Sequence, residues 1–294
     1  MTRHRMLLVH AHPDDESLTT GGTIARAVRA GAEVTVLTCT LGEEGEVIGE
    51  RWAQLAADHA DQLGGYRIGE LTAALAALGV DGPRFLLGAG HFRDSGMAGT
   101  PSAAHPRAFA RSGDDAVAAA VAVIRELRPH VVVTYAADGG YGHPDHVRAH
   151  EVTALAVAAA ADSGRYPEAG EPWDVPKLYW TVAAASEVEC GLERIADVPD
   201  GWRMPEPGEL PCVPDDEVTA EIDVSDVIDA KRAAFAAHAT QVTVAPSGAE
   251  FALSNAIVQP IPRVEHFVLA KGEAGPRDES GRETDLFGGL AESR

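Results

Sequence analysis

The chain has 294 residues, 45% of them hydrophobic, enough for a large buried core and one principal domain. With 45 Asp plus Glu against 24 Lys plus Arg, its formal net charge is -21. Such a surface repels phosphate backbones and anionic lipid, which argues against nucleic-acid and membrane partners. The cysteines Cys39, Cys190 and Cys212 are scattered with no CxxC spacing, as expected of a reducing, cytoplasmic compartment rather than a disulfide framework. The opening MTRHRMLLVHAHPDDE does not read as a signal-peptide core or a membrane span.

In chain order, residues 6–11 form a short apolar run that ends at HPDDE, followed by a Gly-Gly pair and an Ala-rich segment to Ala30: strand, loop, helix. Residues 33–39 (EVTVLTC) are rich in β-branched side chains and predict a second strand. Helical spacing of apolar residues appears over 51–62 and 70–78, and 84–87 predict a short strand. Residues 114–127 open on two acids and close near Arg125 and Arg128, both favourable to the helix dipole. Residues 130–134 (HVVVT) then predict a buried strand, and the Ala-rich runs 116–124 and 154–161 buried helix faces. The alternation implies an α/β fold: a Rossmann-like, mostly parallel sheet with helices on both faces.

Three polar, Gly-rich connections, 42–50, 88–113 and 136–146, follow strands and are expected at the carboxyl ends of the sheet, where ligands bind. The Pro/Gly stretch 163–176 marks a boundary. Residues 1–165 are expected to be the catalytic core. Residues 166–294 are expected to be a smaller C-terminal α+β part that completes sheet and pocket without folding alone. That part begins with a strand over 178–182 and an acidic stretch to Asp216. A helix over 227–239 and a polar tail from Gly272 follow.

The chemistry concentrates in two places. In His12-Pro13-Asp14-Asp15-Glu16, Pro13 biases His12 toward extended backbone, so the chain leaves the strand and turns sharply. Across that turn His12 and Asp15 can reach one ion, while Asp14 can bind the ion's water. Adjacent carboxylates in one pocket are costly without a cation. The second place is Gly139-Gly140-Tyr141-Gly142-His143-Pro144-Asp145-His146, where glycines let backbone approach a substrate and His146 can complete a His, Asp, His set with an open position. Zinc accepts that set, and so does ferrous iron. Alone, HPDDE also reads as a surface turn with a capping acid, and GHPDH as a helix start. Both following strands of one sheet favours the metal reading.

HAHPDDE near the start together with GHPDH after a strand resembles the LmbE-like, zinc-dependent N-acetylglucosaminyl deacetylases. TCTLGEEGEVIGERWAQLAADHADQLGGYRIGEL (38–71), FRDSGMAGT (92–100), IRELRPHVVVTY (124–135), HATQV (238–242), LSN (253–255) and RDESGRETDL (277–286) extend the likeness over nearly the whole chain, toward the actinobacterial branch of mycothiol biosynthesis. The resemblance implies hydrolysis of the acetamide of 1-O-(2-acetamido-2-deoxy-α-D-glucopyranosyl)-1D-myo-inositol to acetate and glucosaminyl inositol. It implies one zinc ion per chain on His12, Asp15 and His146, with Asp14 as general base. Tyr141 and His143 face the reacting amide, Asp145 supports His143, and Arg67 and Asp94 contact the sugar and inositol. Tyr141 suits an oxyanion donor, and either His143 or Asp14 protonates the leaving amine.

Other residues carry less. Glu43, Glu44 and Glu46 follow the second strand, near the pocket or in a solvated loop. His10 reads as a packed core residue, Cys39 as a buried one, and His238 as helix packing or site. One departure stands out: Ala136-Ala137 replaces an Asp-Pro pair common in relatives, which bears on the rigidity of the loop carrying Tyr141 and His143. The nearest rival is the mycothiol S-conjugate amidase branch, against which GEEGEVIGERW argues. A catalytically silent sugar-binding protein is the rival of another class. A dinucleotide enzyme is disfavoured, since acids occupy the phosphate-loop position and GxGxxG is missing. The expected partner is a small sugar-inositol molecule; oligomeric state is left open.

Overall fold

The computed structural model describes residues 3–290. The strands are β1 (Arg5–His10), β2 (Glu33–Thr38), β3 (Arg84–Phe85), β4 (Val131–Tyr135), β5 (Lys177–Val182), β6 (Ala220–Asp223), β7 (Thr243–Val244), β8 (Glu250–Ala252), β9 (Gln259–Pro260) and β10 (Val264–Lys271). The helices are α1 (Asp15–Arg29), α2 (Leu63–Leu78), α3 (Asp114–Leu127), α4 (Pro144–Ala160), α5 (Ala185–Glu193) and α6 (Ile228–Ala237). Seven strands form one sheet in the order β3-β2-β1-β4-β5-β10-β6, and β7, β8 and β9 form a small antiparallel sheet. The first five strands of the large sheet are parallel; β10 runs antiparallel between β5 and β6.

The apolar runs of β1 and β4 follow from burial on both faces. In β1, Met6 and Leu8 pack into a core with Ile24 of α1, Leu71 of α2 and Ala234 of α6. Leu7 and Val9 point the other way, among Val117 and Val121 of α3 and Val152 of α4. A strand of period two sandwiched between helix layers reads as continuous hydrophobics for this reason. Registers Leu7↔Val132 and Leu8↔Val133 lock β1 beside β4.

From β1 the chain moves outward to β2 and β3, then returns to β4 on the opposite side of β1. That reversal opens a crevice outside the carboxyl ends of β1 and β4, the place where open α/β sheets bind ligands. HPDDE leaves β1 there and the 136–146 loop leaves β4 there. No helix among the described residues is long and apolar enough to cross a membrane.

Two expectations need correction. The helix over 51–62 is only a 3-10 turn at Glu50–Leu55 with no buried residue, followed by turns in which Asp61 takes φ 53°. Its spacing was helical, but it buries no residue and touches α2 where Trp52 meets Tyr66, and helices in proteins draw most of their stability from a packed face. The next helix starts earlier than residue 70, at Leu63, where Leu63 and Gly64 are buried. The C-terminal strands β5, β6 and β10 lie in the large sheet.

Candidate metal centre and active site

At the exit of β1, Asp14 precedes α1 with φ 109° and ψ -33°, a conformation rare for a residue with a Cβ. Such strain persists only where the surroundings over-determine it. Here the Asp14 N–H donates to Glu16 Oε2 at 3.0 Å, and Glu16 Oε1 meets His238 Nε2 at 2.8 Å. The Arg67 guanidinium donates to the carbonyl of Pro13 and to Gly42 O, and its Nη2 lies 3.0 Å from Asp14 Oδ2. Gly42, at φ 65°, leaves room for that guanidinium: a Cβ there would fall 2.0 Å from Arg67 Nη1.

At the exit of β4, the Ala136-Ala137 loop is closed by hydrogen bonds of Gly139 N to Ala136 O, Gly140 N to Asp138 Oδ1 and Gly142 N to Asp138 O. Gly139 has φ 71°, and a Cβ on it would press to 2.8 Å from His146 Cβ. His143 caps α4, its Nδ1 accepting from Asp145 N at 3.1 Å, and Pro144 takes the first helical position. His146 Nδ1 donates to Gly139 O at 3.1 Å, which leaves Nε2 facing the crevice.

The two exits meet. His12 Nδ1 lies 3.3 Å from His146 Nε2 and 3.4 Å from Asp15 Oδ2, and Asp15 Oδ1 lies 3.3 Å from His146 Nε2. Donors of one tetrahedral ion with bonds of about 2.0–2.1 Å are spaced about 3.3–3.4 Å apart; His146 Nε2 has that spacing to both His12 Nδ1 and Asp15 Oδ1, while it is the other oxygen of Asp15, Oδ2, that lies 3.4 Å from His12. His12, His143 and His146 also cluster, as do His12, Asp94 and Asp145. The second cluster uses the other nitrogen of His12: Nε2 donates to Asp145 Oδ2 at 3.2 Å and faces Asp94 Oδ1 at 3.5 Å. Both carboxylates already accept protein hydrogen bonds: Asp145 from Ser95 N and Ser95 Oγ, Asp94 from Gly96 N and Glu44 N. An imidazole donating one nitrogen to a carboxylate while the other faces an ion is the usual outer arrangement of a metal site.

The electrostatics match a cation. Burial disfavours charge on His12, yet Asp94, Asp145 and Asp15 outweigh it and raise its pKa well above the ordinary value. Burial likewise works against charge on Asp15, but His146 and His12 pull its pKa well down. Asp14 is pushed up to about 6, chiefly by burial and further by Asp15, against the opposing charge of Arg67. His143 falls to about 4 through burial, with His12 and His146 adding to it. Tyr141, 55% exposed, presents its ring edge to His146 at 4.9 Å.

Of the residues singled out from sequence, His12, Asp14, Asp15, Arg67, Asp94, Tyr141, His143 and His146 all line one cavity of about 750 Å³. Three contacts differ from expectation. The Asp145 carboxylate reaches His12 and Ser95; only its backbone N–H supports the His143 ring. Arg67 is 2% exposed, with its guanidinium committed to Pro13, Gly42 and Asp14. Asp94 backs His12 from behind. Glu44 and Glu46 line the cavity, whereas Glu43 accepts from Leu41 N and Asp94 N. His10 is buried against Thr20, and Cys39 is buried and, like Cys190 and Cys212, a free thiol. Tyr135 and Ser95 were not legible from sequence as site residues, nor was the pairing of Glu16 with His238, which the sequence left open between helix packing and site.

Clustered histidines and carboxylates at the switch point of a doubly wound sheet fit the class to which the comparisons point, a metal-dependent hydrolase. The family model described as GlcNAc-PI de-N-acetylase (PIG-L) matches residues 7–157. A Rhodococcus jostii (strain RHA1) protein named 1D-myo-inositol 2-acetamido-2-deoxy-alpha-D-glucopyranoside deacetylase is 71% identical over 291 residues, 99% of each chain. A Mycolicibacterium smegmatis (strain ATCC 700084 / mc(2)155) protein of the same name is 61% identical over 287 residues, 97% of each. In structure, N,N'-diacetylchitobiose deacetylase from Pyrococcus horikoshii aligns with TM-score 0.55 at 17% identity, covering 80% of this chain and 70% of that one. GalB, the 4-carboxy-2-hydroxymuconate hydratase from Pseudomonas putida KT2440, aligns with TM-score 0.61 at 19% identity, covering 94% and 99%. A hydratase on the same fold shows that the fold alone does not set the reaction. The chain belongs to the GlcNAc-PI de-N-acetylase family, and it is a hydrolytic deacetylase.

Proposed function

We propose that this chain hydrolyses the acetamide of 1-O-(2-acetamido-2-deoxy-α-D-glucopyranosyl)-1D-myo-inositol, giving acetate and glucosaminyl inositol for mycothiol biosynthesis. The observation that carries the substrate is 71% identity with a deacetylase of that name over 99% of both chains. The ligands in this reading are His12, Asp15 and His146, supported by the 3.3 Å spacing of His146 Nε2 to both His12 Nδ1 and Asp15 Oδ1. The metal is zinc, although two His and one carboxylate also suit ferrous iron. When bound, the ion polarises the acetyl carbonyl and makes water more acidic.

The protein's own groups do the rest. Asp14, fixed by Arg67 and Glu16, takes the proton of the attacking water. Tyr141 donates to the developing oxyanion from the crevice mouth. With Nδ1 accepting from Asp145 N, the proton of neutral His143 sits on Nε2, where it also donates to the oxyanion. Asp14 then carries the water's proton to the leaving amine. Asp145 and Asp94 hold His12, and Arg67 holds the base, so these three act on the substrate through their neighbours.

The same reading treats residues 166–294 as completing sheet and pocket rather than as an independent unit, supported by β5, β6 and β10 lying within the large sheet. Free Cys39, Cys190 and Cys212 fit a cytoplasmic location. The experiment is acetate release from the inositol glycoside by zinc-loaded and chelator-treated protein. Release that needs metal supports the reading; saturable binding without acetate in metal-replete protein refutes it. A second reading, amidase action on a bulky mycothiol conjugate, draws on the cavity's apolar walls, among them Val188, Leu210, Phe251 and Ile261. Parallel assays with such a conjugate rank the two.

A further inference from the structure

We infer that Tyr135 is a positioning residue of the metal centre: its hydroxyl sets Asp15 to present one oxygen, and its ring sets the plane of His146. The inference rests on the ligand reading above. Tyr135 ends β4 and is buried at 3% exposure, so its hydroxyl must find partners inside the protein. It finds two. The hydroxyl accepts from Ala11 N at 2.8 Å and donates to Asp15 Oδ2 at 2.7 Å. Because the Ala11 N–H comes from the end of β1, the phenol oxygen is anchored to the strand that precedes His12. With that lone pair engaged, its proton is directed at Asp15.

Asp15 Oδ2 receives a second hydrogen bond, from His12 N at 2.9 Å. Two donors on Oδ2 remove the rotation of the carboxylate, and Oδ1 is left 3.3 Å from His146 Nε2. A free carboxylate would alternate between its oxygens and between one- and two-oxygen binding. Meanwhile the Tyr135 ring stacks on His146, with centroids 4.2 Å apart and planes 20° apart. On the far side, His146 is tied through Nδ1 to Gly139 O. The Tyr135 carbonyl meets His150 Nδ1 at 2.9 Å, one turn along α4 from His146, so strand and helix hold a common frame. One side chain thus couples two of the three ligands, one from each remote segment. Outer groups of this kind typically change metal affinity or activity by about 10–100-fold when removed.

Tyr135→Phe keeps the stacked ring and deletes the hydroxyl. Chelator-stripped protein is titrated with Zn2+ against a chromophoric chelator, alongside wild type and His146→Ala. The expected result is a Zn2+ Kd raised by roughly 10–100-fold in Tyr135→Phe, with KM unchanged at saturating zinc. The hydroxyl's bond to Ala11 also serves the fold, so the melting temperature of the metal-free variant falls; a purely structural role stops there and leaves the Kd alone. A Tyr135→Phe Kd within twofold of wild type, with His146→Ala losing zinc, overturns this inference and spares the ligand reading. Wild-type affinity in His146→Ala removes the ligand reading, and this inference with it.

Discussion

Replacing Arg67 by Met is the substitution that separates the contacts seen here from the role first expected of this residue. Arg67 is buried, its Nη2 is 3.0 Å from Asp14 Oδ2, and its other donors serve Pro13 O and Gly42 O. Breaking one partner out of a buried pair costs about 3–5 kcal/mol, so Arg67→Met is expected to unfold at lower urea, and activity is compared well below its transition. The diagnostic effect is on pH. An arginine beside a carboxylate lowers its pKa by about 1–3 units, so removing it raises that of Asp14 by about this amount. The base works as carboxylate and is lost as pH falls through its pKa, so the acidic limb of kcat/KM moves to higher pH. Burial already holds Asp14 above the ordinary carboxylate range, so the variant's carboxyl is raised further and less of it is ionised at neutral pH. The bound cation shifts both enzymes' limbs together, so the difference between them is the readout. A variant whose acidic limb stays in place while KM alone rises would refute the reasoning and restore Arg67 as a substrate contact.

Asp14→Asn is expected to bind zinc with near wild-type stoichiometry while kcat falls by about 10²–10⁴-fold, measured by metal content and acetate release; normal turnover removes Asp14 as base. Tyr141→Phe is expected to lower kcat by about 10²–10³-fold with little change in KM, as for loss of one oxyanion donor. An equal rise in KM with kcat unchanged would make Tyr141 a ground-state contact instead.

Where chemistry and chain order coincided, the meeting of the two segments was readable in advance. HPDDE and GHPDH each follow a strand of one parallel sheet, and their side chains come together in one crevice. The outer groups were not readable, because their partners depend on register and helix placement. Tyr135 meets Asp15 only because β4 pairs with β1 at Leu8↔Val133. Asp145 could serve either histidine; the start of α4 turns its carboxylate to His12 and its N–H to His143. Arg67 was expected to contact sugar or inositol, but it lies in α2, whose start at Leu63 was missed. Its guanidinium then fills the space that Gly42 leaves open. In the fold, the period of 51–62 misled because amphipathic spacing that buries no residue is too weakly packed to hold a helix.

The most direct measurement is anomalous diffraction at the zinc edge from crystals of the metal-loaded protein. The account predicts one peak per chain, about 2.0–2.2 Å from His12 Nδ1, an Asp15 oxygen and His146 Nε2, with Asp14 within reach of the remaining position. A peak between His12 Nε2, Asp94 and Asp145, with His146 unligated, would contradict it.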